Sequence, residues 1–326
     1  MYTLMHPTTL VLVDDNVNFL KSTMALINMR DCYYIPYENP TLAVNHLRSV
    51  CDLDDNDFFI SLDEDDVYFS TLSQLYNPLR FVTVTTVISD YEMPIISGVE
   101  FFQRLRSIDL HKVMLTGIAT NALAVSMMKD GLIDDFIRKG DFDFTSSVEN
   151  SILKGKRLLF DGITNRHIKL GKTFNCDVCV KDDVRDLVNS MVRENNVIEY
   201  YALDENGSFI FINQYNKISA IFIYDKSYIS SKYNAIRDYI DPELFKKLIE
   251  GTKILTIPLY EVSRYANRIN DFIKDAIESS CGVKYVYIKD AEYLVDVSKI
   301  TFFNDFKHKA ASNQNYIASV SNIMNA

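Results

Sequence analysis

Five short runs of apolar and β-branched residues punctuate the first 145 residues, each followed by a stretch of helical spacing, and that alternation leaves few folds open. The runs are Thr9–Val13 ("TLVLV"), Tyr33–Tyr37, Thr83–Ser89, Lys112–Thr116 and Ile133–Arg138. After the first, Val17, Leu20, Met24 and Ile27 fall on one helical face. Strands that are apolar at successive positions must be covered on both faces, and strands separated by helices lie parallel. The pattern therefore predicts an α/β fold, a (βα)5 doubly wound parallel sheet.

What ends those strands is chemically specific. Asp14 and Asp15 close the first, Asp90 the third and Thr116 the fourth, while Lys139 follows the fifth. In an open parallel sheet the carboxyl ends of the strands border the ligand crevice, so these groups are expected to converge. Three neighbouring carboxylates raise one another's pKa unless a cation lies among them, and Mg²⁺ suits a few carboxylates together with phosphate oxygens. The set points to phosphoryl chemistry, with Asp90 as nucleophile, Lys139 pairing a phosphoryl oxygen and the Thr116 hydroxyl donating to another. Taken singly, Asp15 or Lys139 would read as a solvated loop residue and Phe136 as core; the ordered set carries the information.

The motifs resemble the receiver domain of two-component response regulators. "VDD" (Val13–Asp15) is similar to the family's acid pair, and "DYEMPIISG" (Asp90–Gly98) to its D-x-x-M-P-x-x-x-G phosphorylation motif. "LTG" (Leu115–Gly117) and "FIRK" (Phe136–Lys139) match its last two strands. The resemblance spans roughly residues 8–145 and implies a flavodoxin-like fold with Asp90 as phosphoacceptor. It also implies Mg²⁺ held by Asp14, Asp15, Asp90 and the backbone carbonyl of Glu92, and a switch in which Phe136 moves with Thr116. The implied partners are a sensor histidine kinase or phosphotransfer protein, and a second copy of the chain on phosphorylation. Two positions depart from the pattern: Gly140 stands where proline usually follows the lysine, which argues against a cis peptide there, and Gly117 loosens the loop after Thr116.

Domain limits follow from changes of pattern. Residues 1–145 form the expected receiver, interrupted at about 51–80 by a segment longer than ordinary α–β connections. Its first half, "DLDDNDFFISLDEDD", carries eight acids and no base and reads as a solvated excursion, or else as a docking surface for a basic partner. Residues 146–195 suggest a helical connector, with helices at about Phe142–Phe160 and Asp182–Glu194. Residues 196–326 suggest a smaller α+β domain: an antiparallel meander of "EYYAL", "SFIFIN" and "ISAIFIY" with turns at "DENG" and "QYNK", helices at about Pro242–Glu250 and Val262–Glu278, and two further strands.

Charge narrows the function. The chain carries a net −10, and residues 1–160 hold 13 Lys+Arg against 22 Asp+Glu. That balance argues against DNA binding driven by phosphate contacts, and no basic recognition helix or familiar enzymatic output motif is evident. No run of about 18 apolar residues marks a membrane span and no signal-peptide pattern opens the chain, so a cytoplasmic protein with reduced thiols is expected.

The second half is similar to C-terminal regions attached to some proteobacterial receivers, and its pairing with a receiver resembles the quorum-sensing response regulators of Legionella. A protein partner for this region is the favoured expectation. The alternative is an enzymatic, nucleotide-binding or nucleic-acid-binding output, for which Tyr200, Tyr201, Tyr215, Tyr224, Tyr285 and Tyr287, interleaved with lysines, offer possible stacking surfaces. Cys176 and Cys179 form half of a zinc pattern without a second ligand pair, which favours free thiols.

Overall fold

A computed structural model describes residues 2–54, 67–117, 121–170, 181–226, 229–230 and 236–312. The chain divides into two units that interleave along the sequence. An α/β unit comprises His6–Ile60, Pro78–Gly162 and Phe303–Ala326, and an α+β unit comprises Met1–Met5, Ser61–Asn77 and Ile163–Phe302. The first strand, β1 (Leu4–Met5), belongs to the α+β unit.

In the α/β unit, β2 (Thr8–Val13), β3 (Cys32–Tyr37), β4 (Val84–Asp90), β5 (His111–Thr116) and β6 (Asp135–Arg138) form one parallel sheet in the order β3-β2-β4-β5-β6. Every residue of β2, β4 and β5 is buried, as unbroken apolar runs require. Side chains alternate between the faces. Val11, Val13, Val87 and Met114 join one apolar cluster with Phe101 and Phe102, whereas Leu10, Leu12, Ile88, Val113 and Leu115 join another with Val148 and Ile152. The helices that supply the covers are α1 (Val17–Leu26), α2 (Pro40–Asp54), α4 (Gly98–Arg104), α5 (Asn121–Lys129) and α6 (Phe144–Leu170); α3 (Val67–Tyr76) lies in the other unit. Helix α6 approaches β4 closely at Gly155, where an added Cβ would come within 2.6 Å of the Thr85 carbonyl oxygen.

The α+β unit is built on an antiparallel sheet. It holds β7 (Val197–Ala202), β8 (Phe209–Asn213), β9 (Ile218–Ile223), β12 (Ile277–Glu278) and β13 (Lys284–Ile288), in the order β1-β7-β8-β9-β13-β12. Strands β10 (Lys253–Leu255) and β11 (Ile273–Asp275) make a separate pair. The meander turns as the sequence predicts: the Asp204 carboxylate accepts from the backbone N–H of Asn206 and Ser208 at 2.9 Å, and Gly207 takes the positive φ of 85° that the turn needs. Two further helices are α7 (Asp182–Glu194), which buries Val184, Leu187 and Val188 in the core of this unit, and α8 (Pro242–Ile249).

Three features differ from the sequence reading. Val67–Tyr76, read as the tail of an excursion from the receiver, is an integral helix of the α+β unit. The Thr71 hydroxyl donates to the Ala202 carbonyl, Tyr68 donates to the Leu294 carbonyl, and Val67 joins the core. The acid-rich part of that excursion, residues 55–66, lies outside the described residues.

The last described helix, α9 (Phe303–Ser312), belongs to the α/β unit rather than to the C-terminal domain in which the sequence reading placed it. Phe303 and Phe306 need cover on one helical face and find it on Phe81, with ring centroids 5.2 and 5.4 Å away, and Phe306 also meets Tyr33. Finally, the helix expected over Val262–Glu278 breaks into 3₁₀ turns and the strands β11 and β12, because pairing with β10 and β13 outweighs local helical spacing.

Candidate phosphoacceptor site

The crevice is assembled by strand ends. Asp14 follows β2 and is fully buried, Asp15 beside it is exposed, and Asp90 ends β4 at 7% exposure. One carboxylate oxygen of each lies within 4.8 Å of the others. Lys139, just past β6, reaches across with its Nζ 2.8 Å from Asp14 Oδ2 and 2.8 Å from Asp90 Oδ1. Its backbone N–H donates to the carbonyl of Thr116, the last residue of β5, at 3.1 Å. The Thr116 hydroxyl is buried and has no hydrogen-bond partner among the described residues. An unpartnered buried hydroxyl is costly, and one at the rim of a charged crevice is placed to donate to an oxygen that arrives later.

Thus Asp14, Asp15, Asp90 and Lys139, residues far apart in sequence, are brought together, with Thr116 on the strand next to Asp90. Phe136 lies on the edge strand opposite Met114, half-buried against the cluster of Phe101 and Phe102. Glu92 is exposed in the loop after Asp90. All peptide bonds among the described residues are trans, Lys139–Gly140 included.

The electrostatics fit a cation. Burial raises the Asp90 carboxyl above the ordinary carboxylate range; Lys139 pulls it back and Asp14 adds to the rise. For Lys139, burial lowers the ammonium, but hydrogen bonds to Asp14 and Asp90 outweigh it and the net shift is upward. One ammonium against three carboxylates leaves the crevice negative, and hard oxygen donors at this spacing are the chemistry that Mg²⁺ takes. The residues present fit the ion.

Sequence reasoning quoted Gly98 in the motif without a role for it and passed over Phe19. Gly98, the last position of the D-x-x-M-P-x-x-x-G stretch, packs so tightly that an added Cβ would collide with the Asp90 carbonyl oxygen and come within 2.9 Å of Met114 Sδ. Its role is to let α4 close against the strand end that carries the acid. Phe19, on α1, holds its ring centroid 4.6 Å from Lys139 Nζ. No motif marks it.

No protein-family model matches this sequence, and no curated protein matches it. The solved structure of the Legionella pneumophila response regulator LqsR does: it superposes with a TM-score of 0.71 at 23% identity, covering 95% of this chain and 96% of that one. The chain has the fold of a response regulator with a receiver domain. The agreement runs through both units, in line with the resemblance read from the sequence. Isolated receiver domains match about half of the chain. One is the signal receiver domain of a putative LuxO repressor protein from Vibrio parahaemolyticus, at 15% identity, 47% of this chain, 94% of that chain and TM-score 0.33. Another is a response regulator receiver domain protein from Clostridium thermocellum, at 17% identity, 46% and 98% coverage and TM-score 0.32.

Outside the receiver unit, three of the tyrosines named for the alternative stacking surface are engaged within the α+β unit, while Tyr215 is exposed and Tyr285 and Tyr287 are half-buried. Tyr200 and Tyr201 are buried in the α+β sheet, where Tyr201 donates to Glu199 at 2.6 Å, and Tyr224 donates to the Ile249 carbonyl. Cys176 and Cys179 lie outside the described residues. No described helix is long and apolar enough to cross a membrane.

Proposed function

We propose that this chain is a response regulator of a two-component phosphorelay in which Asp90 accepts a phosphoryl group and the added charge switches the interactions of the α+β unit. The observation that carries the reading is Lys139 bridging Asp14 and Asp90 beside the unpartnered Thr116 hydroxyl. The Asp90 carboxylate attacks the phosphorus of a phosphohistidine on a sensor kinase or phosphotransfer protein. The P–N bond breaks, an acyl phosphate forms, and the departing imidazole keeps the electron pair and takes up a proton.

Asp14, Asp15, Asp90 and the Glu92 carbonyl would hold Mg²⁺, which supplies neutralisation of the charge on the transferring group. Lys139 exchanges its contact with Asp90 for a phosphoryl oxygen, and Thr116 donates to another. The phosphoryl group adds about −1.5 to −2 of charge and biases a two-state equilibrium in which Thr116 and Phe136 move together, remodelling the surface of α5, β6 and α6. The output is a change in partner binding or in self-association as a homodimer, in the cytoplasm. Incubation with Mg²⁺ and a small phosphodonor tests the reading: wild type should gain one acid-stable, base-labile label and Asp90→Asn none. Equal labelling of the two would overturn it.

A further inference from the structure

The Lys139 ammonium is restrained by more than its two carboxylates. Its Nζ sits over the ring of Phe19, and that ring is fixed by the first turn of α1. The Asn16 backbone N–H donates to Asp14 Oδ1 at 2.8 Å, and the Asn16 side chain caps the helix by accepting from the N–H of Asn18 and Phe19, each at 3.1 Å. The acid, the cap and the ring are therefore parts of one short turn. Phe19 also meets Phe144, the first residue of α6, with centroids 5.8 Å apart and planes at 65°, the edge-to-face arrangement aromatic pairs prefer. Both rings are half-buried against the apolar cluster of Leu10, Leu12 and Val148.

The Lys139 backbone is anchored at the Thr116 carbonyl, but that bond does not fix the side chain beyond it. Gly140 follows it, with open space where a side chain would be, and a lysine side chain is long and flexible. We infer that Phe19 is a positioning residue: its ring holds the Lys139 ammonium in the crevice between Asp14 and Asp90 and so sets the rate at which Asp90 gains and loses a phosphoryl group. The inference rests on Asp90 as phosphoacceptor. Phe19 itself touches no reacting atom; it acts through Lys139.

The test uses the full-length chain with Mg²⁺ and a small phosphodonor, following the rate of labelling and the decay of label after donor removal. Phe19→Leu should label about three- to tenfold more slowly, the range for removing an aromatic face from a partly exposed cation, and Phe19→Tyr should restore the rate. In a Lys139→Met background, Phe19→Leu should have no further effect, because a positioning residue has nothing left to position. Should Phe19→Leu fold poorly, progressively fluorinated phenylalanine at position 19 keeps the shape while draining the ring face of negative charge, and labelling should slow with each fluorine. An unlabelled wild type would sink the phosphoacceptor reading itself. A labelled wild type with a flat fluorine series, or an undiminished Phe19→Leu effect without the lysine ammonium, would overturn the role of Phe19 alone.

Discussion

Phe306→Ala should destabilise the receiver unit although the residue lies more than 200 positions beyond the Asp90 strand. Phe306 is fully buried, with its ring 5.4 Å from Phe81 and 5.4 Å from Tyr33. Phe81 is fully buried too, and its carbonyl accepts from the Thr9 hydroxyl at 2.7 Å, tying the entrance of β4 to β2. Truncating a buried phenylalanine costs about 3–5 kcal/mol, transfer and cavity terms together. At about 2–4 °C per kcal/mol for a domain of this size, the expected fall in Tm is about 6–20 °C. The chain has no tryptophan, and circular dichroism would blend the two units, so amide hydrogen exchange resolved by peptide is the suitable assay. Peptides from β2 and β4 should lose protection, whereas β8 and β9 should keep theirs. Unchanged protection in β2 and β4, with Ile88→Ala in the same sheet showing the expected loss, would refute the assignment of α9 to this unit.

Gly98→Ala should cost about 1–3 kcal/mol, as overpacking does, and slow labelling of Asp90, because α4 can admit a methyl group only by shifting the Asp90 carbonyl; a chemical melt and the labelling assay read the two effects separately. Burial raises the Asp90 carboxyl, so the folded chain binds that proton more tightly than the unfolded chain, and the ionised group costs stability at pH above its raised value. Asp90→Asn should therefore be more stable than wild type at pH 7 without divalent ions, with the gap closing as pH falls towards the unfolded carboxylate value of about 3.9; urea melts at pH 7 and pH 4 measure it. Thr71→Val leaves the Ala202 carbonyl short of the Thr71 donor and should destabilise the α+β unit by about 1–3 kcal/mol, seen as faster exchange in β7.

The parallel sheet and the acidic crevice were legible because their signals are local. A β-branched run buried on both faces looks the same wherever its neighbours lie, and the groups that meet in the crevice sit at the ends of such runs. The rest depended on distant partners. Nothing near Thr71 indicates a hydrogen bond to Ala202, 131 residues away, nor does "FNDFKHKA" indicate that its two phenylalanines meet Phe81 rather than the nearer meander. Val262–Glu278 has helical spacing yet supplies two strands, since short stretches of β10 and β13 offer pairing that no local count can weigh. Phe19 is not among the residues that marked the apolar face of α1, and only the fold brings the Lys139 ammonium over its ring.

The way the two units trade segments constrains how this gene can change. A recombination that moved residues 1–162 onto a foreign tail would strip the sheet around Asp90 of its closing helix, and would leave the donor's remaining fragment without an edge strand and without the helix that braces Ala202. Cassette exchange, the easy route to a new output, is shut. New specificity has to come by substitution within an intact reading frame, with both halves tested by selection at once.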